Sequence, residues 1–288
     1  MEATSRRVET AIREARPADL RVIRSILAAH GNDGPVVVAD IVGPSLAHLL
    51  ARGRARVATS DDSVVAFGAA VDAGRSVHLA DLFVDAAHLG QGIGRPLLDA
   101  VLEGAQHRTT FASDDERAIP IYVRAGMQPL WTSLYVQGGL ARLDLDLAGL
   151  STEAAAPGEL ASLEMAWTGH DRAVDHAYWA AMADVDSFVV HEDGDIAALG
   201  YARARQAATI RVLDRLVIHP DADPVACTLT ALRRAGRGGP VLLALPGPHP
   251  ALRVLLESGM RIVDRDQFLA SDPSLVDPVR LIPNPGML

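Results

Sequence analysis

Along this chain, short runs of alternating or continuous apolar residues give way repeatedly to apolar residues at helical spacing. Thr10 to Arg16 alternates weakly and predicts a first strand. Pro17-Ala18-Asp19 opens a helix whose apolar face is Leu20, Ile23, Ile26 and Leu27. Gly31 to Gly34 interrupts it, and a second helix is expected over Pro44 to Arg52. Arg54–Thr59 and Val64–Val71 predict two strands joined at Ser60-Asp61-Asp62 as a hairpin. Val77–Ala105 then reads as a buried strand over His78–Val84, a glycine-rich turn and an amphipathic helix. Thr109–Ala112 predicts a short strand, Asp115–Ala125 a helix closed by Gly126, and Trp131–Gln137 another strand.

Past Gly139 the pattern starts again. Ala141–Leu147 alternates as a strand would, Ser151–Pro157 is turn-like, and Glu159–Trp167 is helical. Ser187–His191 and Ala197–Ala204 form a hairpin about Glu192-Asp193-Gly194. Arg211–Ile218 is the analogue of the strand ending Leu82-Phe83-Val84, and Ala251–Met260 repeats Ala118–Met127 without a gap. The offset is 133 residues at the helix and 134 at the strand, which marks an internal repeat. The expected domains are residues 1–138 and 139–288.

Composition narrows the function classes. A chain of 288 residues favours two domains, and 49% hydrophobic with 22% charged residues describes a globular protein with ample core. No apolar run reaches membrane-spanning length, and Met1 to Glu9 lacks the apolar segment of a signal peptide, so a cytoplasmic location with no membrane partner is expected. The single Cys227 excludes an internal disulfide framework and a cysteine metal cluster. A net charge of −9 argues against nucleic acid as a partner. All basic residues other than histidine are arginine, which removes Walker-type loops and Schiff-base lysines.

The chemistry concentrates in the glycine turn, Leu89-Gly90-Gln91-Gly92-Ile93-Gly94. Alternate glycines let the backbone approach a ligand and turn its N–H groups outward. Pro96 in the first helical turn has no N–H to lose, and the other N–H groups at that helix start form an anion site suited to a phosphate or pyrophosphate. A dinucleotide loop would need a glycine at Arg95.

The element order and this turn resemble the GNAT superfamily of acyl-CoA-dependent N-acetyltransferases. The family's motif places Arg or Gln, two variable residues, Gly, one variable residue, then Gly or Ala; here Leu89 departs at the first position. The resemblance implies that amides from Leu89, Gly90, Gln91, Gly92, Ile93 and Gly94, with Arg95, hold the pyrophosphate of acetyl-CoA. Leu82, Phe83 and Val84 would bind the pantetheine arm as a pseudo-strand. A second family element, Asn-x-x-Ala-x-x-x-Tyr-x-x-x-Gly-Phe, resembles Asp115 to Met127, with Ala118, Tyr122 and Gly126 matching and Asp115 and Met127 departing. Asp115 takes the position of the cosubstrate-site Asn. Tyr122 stands where many members keep the acid that protonates the CoA thiolate, and a phenol with pKa about 10 suits that task. The expected fold is mixed α/β, two tandem GNAT-like domains, each a mostly antiparallel mixed sheet flanked by helices. The implied activity is acetyl transfer to a primary amine of a small molecule or peptide. Alternatives are a non-catalytic CoA-binding scaffold and an enzyme using a longer acyl-CoA.

The acceptor amine must be neutral, and Asp81 on the strand before the turn is the candidate base, with a solvated strand residue as its alternative. Asp85 reads as a cap or turn residue, and His78 and His88 as surface or packing residues. In the second copy the glycines are gone, Pro224 removes a donor, Asp223 would repel phosphate, and Leu255 replaces Tyr122. Cys227 in that stretch is expected to be inert. His170-Asp171-Arg172, Asp175-His176 and Tyr178-Trp179 suggest a metal site but fix no third ligand; an exposed helix explains the spacing equally well, and no metal is expected. Trp167 and Trp179 offer either an acceptor-pocket lining or core or interdomain packing, and packing is the reading taken.

Overall fold

The computed structural model describes residues 10–30, 38–113, 115–140, 147–182, 184–204 and 210–288. They divide into two compact units, Met1–Asp72 with Val77–Arg108, and Ala73–Ser76 with Thr109–Leu288.

The first unit begins with β1 (Ala11–Glu14), followed by α1 (Leu20–His30) and α2 (Val38–Ala51). Ile23, Ile26 and Leu27 of α1 are buried, as the apolar face predicts. Helix α2 begins ahead of Pro44, the expected start. Next come β2 (Ala55–Ser60), β3 (Ser63–Ala73) and β4 (Ser76–Val84) in the order β1-β2-β3-β4. Ser60 pairs directly with Ser63, leaving Asp61 and Asp62 as a two-residue turn with φ of 46° and 62°. Both signs are those of the type I′ turn, whose twist matches the strands it joins. Helix α3 (Gly94–Val101) then packs Leu97, Leu98 and Val101 into the core with Val57 and Phe67.

In the second unit, β5 (Arg108–Ala112, in this unit from Thr109) leads to α4 (Ala118–Arg124) and β6 (Gln128–Gly138). The helix expected from Asp115 begins at Ala118, because Asp115 occupies the turn before it. The strand expected over Ala141–Leu147 falls largely on residues 141–146, outside the described residues. Then follow β7 (Leu150–Ala154), α5 (Pro157–Thr168), α6 (Ala173–Ala181), β8 (Val185–Glu192), β9 (Asp195–Ala204) and β10 (Arg211–Ile218). The chain closes with α7 (Pro224–Gly236), β11 (Val241–Pro246), α8 (Ala251–Glu257), β12 (Arg261–Ala270) and β13 (Leu281–Ile282).

The strand order is β5-β12-β6-β11-β10-β9-β8-β7, with β13 on β10. β10 and β11, joined through α7, run parallel; the other pairs of this unit are antiparallel. The turn-like reading of Ser151–Pro157 is corrected: Leu150–Ala154 is a strand paired with β8 from Leu150–Glu192 to Ala154–Phe188. Its Glu and Ala are poor strand formers and only Thr152 favours a strand, so the distant partner supplies the order. Strand β12 inserts between β5 and β6, its counterpart one repeat earlier, so the end of the first repeat is knit into the second. The core gathers Phe188, Val190, Leu213, Leu216, Leu229, Leu232, Leu243 and Leu255 beneath α7 and α8.

Candidate functional site

Strand β4 and the loop after it carry most of the predicted site, Asp81 to Arg95, and this part lies in the first unit. A Cβ added to Gly68 would stand 3.3 Å from Leu82 Cδ1 and 3.0 Å from Val101 Cγ2, so Leu82 faces α3. Alternation turns Asp81 and Phe83 to the opposite face, where the Phe83 ring meets His30 of α1. The Asp81 carboxyl is partly exposed but stripped of much of its water, and this desolvation pushes its pKa up to about 6. Among the described residues no group donates to this carboxylate.

Beyond Val84, Asp85 acts as the predicted cap, accepting from the Ala87 N–H at 2.8 Å. Its own N–H goes to the Val65 carbonyl on β3 at 2.8 Å. The Gln91 side chain donates to the Ala87 carbonyl at 3.2 Å, and buried Ile93 pins the far end of the loop. Gly90 and Gly92 adopt φ of +76° and +82°, with open space where a side chain would stand. The need for glycine there is therefore conformational, and the loop surface is left bare. Gly94 is already helical, so it is the other two glycines that shape the turn. Among the described residues no protein acceptor takes the amides of Gly90, Gln91, Gly92, Ile93, Gly94 or Arg95. A run of amides ending on a helix start is an anion cradle. The Arg95 guanidinium lies exposed against Asp99, with Nε 2.9 Å from each carboxylate oxygen, and its backbone N–H stands at the helix start.

The other two predicted residues belong to the second unit. Asp115 accepts from the Arg117 N–H at 2.8 Å and from its guanidinium at 2.7 and 2.9 Å, closing a turn before α4. Tyr122 is buried on α4, which Gly126 terminates at φ +85°. Helices α4 and α8 have the same length and sit 133 residues apart, as the repeat predicts. At the Tyr122 position the second copy has Leu255, fully buried in the core.

Where the second copy might hold an anion it supplies its own. The Asp223 carboxylate caps α7, accepting from Val225 and Ala226 N–H at 2.8 and 3.2 Å. Cys227 is buried, which pushes its thiol up to about 12 and leaves it inert, as expected. Among the described residues no cluster of three His, Cys, Asp or Glu side chains forms a metal site, and no helix is long and apolar enough to cross a membrane.

Two features went unread in the sequence. The first is His30, whose Nε2 lies 2.7 Å from the Val84 carbonyl oxygen. The second is a buried polar network where an exposed helix was the alternative to a metal site. Arg172, Asp175, His176 and Trp179 all point inward from the start and body of α6. His176 bridges Glu164 Oε2 at 2.9 Å and the Tyr201 hydroxyl at 2.7 Å. The spacing of those four, one helical stripe, was the available signal.

Compared with known proteins, residues 51–128 match the acetyltransferase (GNAT) domain family. The chain carries a GNAT domain. No curated protein matches its sequence. A Pyrococcus horikoshii protein assigned to the acetyltransferases superimposes with a TM-score of 0.69 at 16% identity, covering 97% of this chain and 94% of that one. A GCN5-related N-acetyltransferase from Anabaena variabilis gives 0.64 at 12% identity, covering 91% and 72%. A tandem GNAT protein from the clavulanic acid biosynthesis pathway gives 0.61 at 16% identity, covering 92% and 99%. At these identities the likeness is one of fold, and it extends well beyond the matched GNAT segment into the second half.

Proposed function

We propose that this protein is an N-acetyltransferase that moves an acetyl group directly from acetyl-CoA to a primary amine of a small molecule or peptide. The observation that carries the reading is the run of acceptor-less amides from Gly90 to Arg95, shaped by left-handed Gly90 and Gly92 at the start of α3. These amides would take the pyrophosphate; that of Leu89, which already reaches the Ala86 carbonyl at 3.5 Å, could join them only by giving up this long bond. The β4 edge from Leu82 to Val84 would take the pantetheine arm. The two repeats, 1–138 and 139–288, then divide the work unequally: the first binds acetyl-CoA and the second does not.

In the reaction the neutral amine nitrogen attacks the thioester carbonyl, a C–N bond forms and the C–S bond breaks. Asp81 takes the amine proton directly or through water, and its raised pKa suits a base working near neutrality. Tyr122 gives a proton to the departing thiolate. Asp115 completes the turn that presents the Tyr122 helix. A small amine without a membrane, nucleic-acid or metal partner fits a cytoplasmic enzyme.

The test is thiol release from acetyl-CoA across a panel of amines, with CoA titrated calorimetrically in parallel. Turnover that falls at least a hundredfold in Tyr122→Phe supports both reading and role. Full activity in that variant removes Tyr122 from the mechanism. Binding of CoA without turnover on any amine makes the chain a CoA-binding scaffold, and turnover only with longer acyl-CoA changes the donor.

A further inference from the structure

The edge of β4 assigned above to the pantetheine arm carries one contact that the acetyl-transfer reading does not use. His30, the last residue of α1, lays its ring against Phe83, with centroids 5.4 Å apart, and brings Nε2 to 2.7 Å from the Val84 carbonyl oxygen. A carbonyl can only accept, so Nε2 carries the hydrogen and the tautomer is fixed. Asp85 gives its N–H to Val65 on β3, and alternation along the strand turns the backbone groups of Val84 to the other edge. His30 therefore occupies one of two lone pairs on a carbonyl that faces away from the sheet partner. The second lone pair is left for an incoming amide.

We propose that His30 is a positioning residue for the pantetheine arm. It ties the end of α1 to the end of β4 and holds the Val84 carbonyl at the angle that an arm amide meets. This rests on the acetyl-CoA reading. The Asp85 N–H bond to Val65 anchors the same peptide plane from the β3 side, and His30 adds the second tie that sets its tilt. Without it the ligand would bear that last part of the ordering, at a cost in affinity. The pyrophosphate loop does not depend on it, since the loop is fixed by Asp85, Ile93 and its own glycines.

The experiment compares CoA with adenosine 3′-phosphate 5′-diphosphate, which keeps the pyrophosphate but lacks the arm, by calorimetric titration of the full chain. His30→Phe keeps the ring contact and removes the donor; His30→Gln keeps a donor. The expected result for His30→Phe is about tenfold weaker CoA binding, unchanged binding of the armless nucleotide, and a raised KM for acetyl-CoA with kcat within about twofold. His30→Gln restores wild-type affinity. The proposal is overturned if His30→Phe binds CoA as wild type does, or if it loses affinity for both ligands equally. Should the Phe variant fail to fold, His30→Ala is read by the same two ligands. Wild type that binds neither ligand overturns the acetyl-CoA reading itself, a result distinct from selective failure at His30.

Discussion

Arg215 grips Glu164 with both terminal nitrogens, Nη1 to Oε2 at 2.7 Å and Nη2 to Oε1 at 2.8 Å, inside the second unit. At the strand offset of 134, Arg215 holds the position that Asp81 holds in the first repeat. Where one copy keeps an unpartnered carboxylate, the other keeps a buried cation already bound to a carboxylate. Arg172 and Arg215 also both donate to the Leu288 carbonyl oxygen, at 2.5 and 2.9 Å, and both lie over the Trp179 ring. In the second copy this stretch of the fold is part of a buried structural network.

That network predicts acid sensitivity. Burial alone would push the Glu164 carboxyl up, but Arg215, the His176 hydrogen bond and Arg172 outweigh it and hold the group well below the usual carboxylate range. A depressed pKa contributes stability that is present above the unfolded value, about 4.3, and is lost as pH falls below it. Glu164→Gln leaves the Arg215 guanidinium without its counter-charge, while Arg172 keeps Asp175, and should cost about 3–5 kcal/mol at pH 7. Urea unfolding between pH 3 and pH 7 checks both points. The idea fails if the variant matches wild type at pH 7.

Asp223 gives a second prediction. It caps α7 by two hydrogen bonds, so Asp223→Ala should lower stability by about 0.5–2 kcal/mol. The variant should gain no second CoA site, because Pro224 still lacks an N–H and no left-handed glycine precedes the helix. Calorimetric stoichiometry is the readout, and a second binding event would show that the carboxylate alone had closed this copy.

What was legible in the sequence was local. The Asp61-Asp62 turn, the glycine loop and the match of α8 to α4 each follow from a few neighbouring residues. Strand β7 and the insertion of β12 between β5 and β6 depend on partners far along the chain, which periodicity does not encode. The buried stripe of Arg172, Asp175 and His176 ran against the rule that charges face water, and only the pairing of Arg172 with Asp175 and of His176 with Glu164 overrides it. His30 was silent for a related reason: its meaning lies in a carbonyl that 54 residues of chain separate from it.

The glycine loop can be tested without touching a polar group. Gly92 has φ of +82° and nothing within 4 Å of an added Cβ. Gly92→Ala therefore suffers no clash, only a backbone penalty of about 1–2 kcal/mol. Relaxing that strain would turn amides of the cradle away, and CoA should bind about tenfold more weakly. Titration of Gly92→Ala with CoA, beside a thermal melt, measures the two effects. Unchanged affinity would remove the loop from the binding site.

With Asp81 as the proposed base, function and stability should depend on pH with opposite signs. Desolvation pushes its pKa up to about 6, so the ionised form that a base requires is the form the fold disfavours. Turnover should fall on the acid side below about pH 6, roughly tenfold per unit, as Asp81 takes up its proton. The stability effect runs the other way: the folded pKa exceeds the unfolded one, so the penalty is absent below about pH 4 and grows until the group is ionised above about pH 6. Asp81→Asn should therefore lose about a hundredfold or more in kcat, lose the acid limb, and gain about 1–3 kcal/mol at pH 7. Rate profiles from pH 5 to 9 and urea midpoints at pH 4 and pH 7 separate these effects. An Asn variant that keeps both its rate and the acid limb would return Asp81 to the status of a strand residue and leave the proton to another group.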